Sequence, residues 1–170
     1  MLRDRVLFLV TTCITLVVGG TLLPPATQIA IRLDAAARTA QPSLSVWSLV
    51  FSKTQADRGE QAYRSACGYC HKDDLSGGFT DDGVGRAVAL AGPQAFGSSF
   101  VERWRDQTLA DMVYVIASTM PKQAPTSLNL DTYVDIVTFL LERNGVPAGD
   151  DELPADVPTL RDIVITAPPK

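Results

Sequence analysis

Histidine is almost absent from this chain of 170 residues. There is one, His71, and so no site can use two imidazoles. Cysteine is nearly as scarce, at three, and Cys13 stands alone in an apolar N-terminal run. Cys67, Cys70 and His71 therefore remain together, one short of the four ligands that close a structural zinc site. Positive charge is also in deficit. From Arg38 onward there are 12 basic and 17 acidic residues, a net of −5, with no basic stripe, which excludes a nucleic-acid surface. No internal repeat is present, and residues 72–98 carry neither a helical nor a strand period.

What is present is concentrated in Ser65-Ala-Cys67-Gly-Tyr-Cys70-His71. Two cysteines three apart, followed at once by histidine, form the attachment signature of a c-type haem. Both thiols add across the haem vinyl groups as thioethers, and the adjoining imidazole falls beneath the iron. Cys-Gly-Tyr-Cys also matches the dithiol of a thiol–disulfide oxidoreductase. That motif belongs on a strand-to-helix turn with a low-pKa attacking thiol, whereas the residues before Cys67 read as a helix.

The first 30 residues read as an export device. Arg3 and Arg5 make a positive head, and Val6 to Leu23 is an 18-residue stretch without a charge. That length lies between a signal-peptide core and a membrane span, so cleaved signal and retained anchor both fit. With the positive head inside, the body is expected on the periplasmic side of a bacterial inner membrane. Residues 31–53 then read as a tether, 54–147 as the compact domain, and 148–170 as a C-terminal extension.

Within the domain, Thr54-Gln-Ala-Asp57 is a candidate capping box. It opens a helix whose face carries Gly59, Ala62, Tyr63 and Ala66 and which delivers Cys67. Ser99 is expected to cap a short helix carrying Trp104. Thr108 caps a second, with Leu109, Met112, Val113 and Ile116 on one face. Asn129 caps a third, with Leu130, Tyr133, Val134, Val137, Leu140 and Leu141 as its stripe. Gly145 and Pro147 end that helix. Asp162-Ile-Val-Ile165 suits a short strand or extended arm.

The far side of the iron needs a ligand other than histidine. Met1 belongs to the export segment, and Met112 lies on an apolar stripe, where packing is its natural duty. Met120, in Ser118-Thr-Met120-Pro121, sits past a helix end, 49 residues after His71. A thioether there is a soft neutral ligand that favours reduced iron. A lysine amine, an open site, and a gap-filling role for Met120 are the alternatives.

These residues resemble class I cytochrome c from about Thr54 to Gly145. The resemblance implies an all-α fold, with helices wrapped around one covalently bound haem c, here behind an N-terminal apolar export or anchor helix. It also implies that the first and last helices cross, with Gly59 and Tyr63 meeting the Tyr133 to Leu140 face. Asp74-Leu-Ser-Gly-Gly, Trp104 with Thr108-Leu109, and Asn144-Gly-Val-Pro-Ala-Gly149 followed by Glu152-Leu-Pro are similar to the small cytochromes associated with quinoprotein (PQQ-dependent) dehydrogenases. Trp104 is then expected either against the haem or a propionate, or in ordinary core packing. In the family a loop proline commonly offers its carbonyl to the proximal histidine, and here the corresponding position is Val88.

The function so implied is a single-electron carrier rather than an enzyme. It would pass electrons from a dehydrogenase or respiratory complex to an oxidase or another cytochrome. A haem enzyme or sensor with an open distal site is the rival, ahead of the dithiol oxidoreductase.

Overall fold

The computed structural model describes residues 44–170 except 81, 82, 84 and 93–98. The expected export or anchor segment and residues 31–43 lie outside the described residues. Among those described, no helix is long and apolar enough to cross a membrane.

Two long helices form the frame. The first, α1 (Lys53–Ala66), runs straight into the one-turn α2 (Gly68–His71). The last long helix, α5 (Leu130–Arg143), packs along α1. Of its expected stripe, Tyr133, Val134, Val137, Leu140 and Leu141 are buried, whereas Leu130, in the first turn, is exposed; Ile136 and Phe139 join the buried set because two of its faces meet core. Asn129 caps its start through the Thr132 amide at 2.8 Å. Its end closes with Gly145 N–H on Glu142 O and Val146 N–H on Leu141 O. Gly145 takes φ of +87° there, and Val146 turns into the core.

Between the two long helices lie α3 (Phe100–Arg103), capped by Ser99, and α4 (Leu109–Thr119), capped by Thr108 and Asp111 as a reciprocal box. Met112 is fully buried on α4, in the packing role its stripe predicts. The cap of α1, by contrast, is Ser52 rather than the expected Thr54 box, its hydroxyl accepting from Gln55 N–H at 3.1 Å.

Among the described residues, the helical expectation is extended by four two-residue strands. β2 (Gly78–Phe79) and β3 (Arg86–Ala87) pair antiparallel within the wrapping loop. β1 (Leu44–Ser45) pairs parallel with β4 (Ile163–Val164), which follows the short helix α6 (Val157–Arg161). Residues 44–52, expected as the end of a tether, therefore belong to the body. Val46 and Phe51 are wholly buried, and Trp47 Nε1 donates to Thr166 O at 2.9 Å. The partners that hold this stretch lie more than a hundred residues away, beyond the reach of local composition. The C-terminal extension is bound in the same way. Buried Gln55 exchanges two hydrogen bonds with the Leu153 backbone, at 2.8 and 3.0 Å, acting as a strand partner from within a helix. Leu160, Ile163 and Ile165 enter the core.

Candidate functional site

The α1–α2 junction places Cys67, Cys70 and His71 on one turn. Cys67 N–H still bonds to Tyr63 O, and His71 N–H bonds to Cys67 O at 3.0 Å, so Cys67, with φ of −124°, is the single turn residue by which α1 passes into α2. Both cysteines are half-buried, and they form no disulfide. Burial, helped by the neighbouring Cys70, pushes the Cys67 thiol up to about 11. An attacking thiol of a dithiol oxidoreductase needs the opposite shift, so this environment disfavours that alternative.

His71 is buried. Its Nδ1 lies 2.9 Å from Val88 O, the carbonyl at the position singled out from the sequence. Burial lowers the imidazole's proton affinity, partly offset by that carbonyl, so the ring is neutral at physiological pH. With Nδ1 carrying the proton toward Val88, Nε2 presents a lone pair and has no hydrogen-bond partner among the described residues. Two cysteine side chains and one oriented imidazole lone pair on a single turn fit the chemistry of a covalently attached haem.

The wrapping loop is folded to deliver Val88. Asp74 accepts from Ser76 N–H, Leu75 drops into the core, and Gly77 N–H donates to His71 O at 3.0 Å. Gly77 has φ of +63°, and a Cβ there would lie 2.6 Å from both C and O of Val88. The Asp74-Leu-Ser-Gly-Gly run thus has a physical role, since only glycine lets the Val88 peptide come so close. Asn144, at the end of α5, holds the same loop by donating to Leu90 O at 2.8 Å.

Met120 occupies the C-cap of α4, half-buried, with φ of −132° and ψ of 150°. Its amide donates to Ile116 O at 2.8 Å, and its carbonyl accepts from the Tyr133 hydroxyl on α5 at 2.8 Å. Trp104 caps the end of α3, partly buried against the core. The structure thus brings three of the five site residues together on one turn and sets Trp104 and Met120 on separate helix ends. Two hydrogen-bonding residues escaped the sequence reading, namely Tyr63, whose hydroxyl donates to Lys72 O at 2.7 Å, and Tyr133. Both stood in apolar stripes, where ring and hydroxyl cannot be told apart by periodicity.

A polar cleft of about 400 Å³ between α1, α5 and residues 152–155 contains none of the five. Its one cation, Arg58, is already paired with Glu152 at 2.6 Å and Asp135 at 3.1 Å.

A helix ending in Cys-X-X-Cys-His, with the histidine's second nitrogen on a loop carbonyl, defines a class I c-type cytochrome domain. Residues 54–140, half of the chain, match the family described as cytochrome c oxidase, cbb3-type, subunit III, and the chain belongs to that family. It binds haem c covalently and is an electron-transfer haem protein rather than an enzyme, with the helical cytochrome c fold. No curated protein and no solved structure matches it.

Proposed function

We propose that this cytochrome is a monohaem relay on the periplasmic side of the bacterial inner membrane, held there by its N-terminal segment or released after cleavage. Cys67 and Cys70 would hold the haem covalently, and His71 Nε2 and Met120 Sδ would be its protein ligands to iron. The bound group supplies one-electron Fe(III)/Fe(II) chemistry. His71 is held in the required tautomer by Val88 O, and this 2.9 Å bond is the observation that carries the reading. With Met120 as the second protein ligand, no position would be left for substrate. Trp104, packed against the core, would lie near the haem. Residues 44–52 are part of the folded body, so they would not serve as tether.

The donor in this proposal is a periplasmic dehydrogenase, first of all a quinoprotein, and the acceptor is a terminal oxidase or another cytochrome. The motifs Asp74-Leu-Ser-Gly-Gly and Asn144-Gly-Val-Pro-Ala-Gly149 with Glu152-Leu-Pro support the quinoprotein donor. The acidic body suits a partner with a positive docking face.

Mixing the oxidised protein with a quinoprotein dehydrogenase and its substrate should reduce the haem, at a rate that falls as salt rises. No reduction by such donors, beside rapid reduction by a quinol-oxidising complex, would assign the protein to general respiration instead.

A further inference from the structure

We propose that Tyr133 is the positioning residue for the Met120 thioether, its hydroxyl setting how readily the sulfur gives way to an outside ligand. The inference rests on Met120 being the distal ligand, as argued above.

Tyr133 is 2% exposed and lies on α5, which packs against α1 and α4. Its ring alone would serve as core. A buried phenol needs a hydrogen-bond partner, and a phenylalanine would have avoided that need. The partner it takes is the Met120 carbonyl, at 2.8 Å. Met120 is thereby held at both backbone polar groups by two different helices, the amide by the last turn of α4 and the carbonyl by α5.

Past this point the chain has little other restraint. Pro121 has no N–H to donate, and residues 122–127 are exposed. The loop is held by Ala124 N–H on Pro121 O and, back to the last turns of α4, by Thr126 N–H on Ala117 O; neither bond involves the Met120 peptide. Among the described residues, Tyr133 is the one side chain that bonds to that peptide.

The proximal side has a counterpart. Tyr63, on the helix that crosses α5, donates to the carbonyl of Lys72, the residue after His71. Each helix of the crossing pair therefore contributes one phenol to a carbonyl at or beside one axial residue. The proximal turn is covalently anchored through two thioethers and the distal residue is not, so loss of the hydroxyl should be felt mainly on the methionine side.

The test uses the full haem-loaded chain and its Tyr133→Phe and Tyr63→Phe variants. Ferric protein is titrated with imidazole while the far-red charge-transfer band of methionine-ligated Fe(III) is followed. Tyr133→Phe should bind imidazole about five- to tenfold tighter, the factor that loss of one ordinary hydrogen bond gives. Tyr63→Phe should stay within about twofold of the parent on the same scale. Unchanged affinity in Tyr133→Phe, or an equal gain in both variants, would overturn the proposal while leaving Met120 as ligand. Absence of the band from the parent protein would overturn the ligand assignment itself, and the proposal with it. Should Tyr133→Phe not mature, p-aminophenylalanine at 133 retains a donor and must retain the parent's imidazole affinity; a tenfold gain there would also overturn the proposal.

Discussion

Gly59 of α1 and Asp135 of α5 touch through their backbones. A Cβ placed on Gly59 would lie 1.9 Å from the Asp135 carbonyl oxygen and 3.0 Å from Phe139 Cβ. This contact is the crossing point of the two long helices. One turn further along α1, the ring of Tyr63 meets that of Phe139 with centroids 5.2 Å apart, and Arg58 reaches across to the Asp135 carboxylate. The crossing expected for Gly59 and Tyr63 is thus seen in atomic contacts.

Gly59→Ala should therefore be among the most damaging single-methyl changes in the chain. The obstruction is backbone, which cannot rotate aside, so the helices must separate and uncover Tyr63 and Phe139. A loss of about 3 kcal/mol or more is expected. Urea unfolding of the haem-loaded protein checks it, with Ala62→Ser, at a half-buried neighbour, as a milder comparison.

Met120→Ala and Met112→Ala should behave differently. The first should keep covalent haem, lose the far-red band, lower the potential and admit exogenous ligands. The second should leave the band and potential in place and lower stability by about 2–5 kcal/mol, since Met112 is fully buried. Absorption spectra, potentiometry and denaturation on the two variants decide between them; exchanged outcomes would reverse the ligand assignment.

Gly77→Ala should act on the His71 ring through Val88. The new methyl meets the Val88 carbonyl at 2.6 Å and displaces the acceptor of the Nδ1 proton. An imidazole deprived of that acceptor is a weaker donor to iron, so the potential should rise, with a stability loss of about 1–3 kcal/mol. Val88→Ala should leave the potential where it was, because the acceptor is backbone. Redox titration of both variants checks the contrast.

The start of α4 should carry an acid-sensitive contribution. The Thr108 hydroxyl and amide, at 2.7 and 2.9 Å, hold the Asp111 carboxyl below its ordinary value. A carboxylate depressed in the folded state contributes stability that is present above the ordinary aspartate value of about 3.9 and is lost as pH falls through the folded value. Asp111→Asn should thus cost about 0.5 kcal/mol at neutral pH and progressively less below about pH 4. Thr108→Ala should cost about 1 kcal/mol, part of it persisting in acid. Denaturant unfolding of both variants along a pH series measures the difference.

Much of the site was legible because its chemistry is local. Cys67, Cys70 and His71 are contiguous, and the caps at Ser99, Thr108 and Asn129 act within three residues of themselves. Val88 was placed by the resemblance to class I cytochrome c, and its carbonyl serves there because a backbone acceptor survives the change from proline. What escaped depends on distant partners. Gln55 meets Leu153 across 98 positions, and Trp47 meets Thr166 across 119. Ser52 was passed over as a cap because the apolar spacing alone fixes the start of α1 no better than to a turn. The two tyrosines looked like stripe residues because the targets of their hydroxyls are set by tertiary folding.

The parallel pairing of β1 with β4 has a mechanical consequence. Tension applied to the chain ahead of Leu44 would run lengthwise along the strand pair. The bonds from Leu44 N–H to Asp162 O and from Val46 N–H to Val164 O would then share the load in shear, rather than parting one after another. Ser45 and Trp47, both bonded to Thr166, would stand behind them as a second catch. A pull from the N-terminal side would thus be borne by the terminal strand pair before it reached α1, leaving the turn that carries Cys67, Cys70 and His71 unstrained.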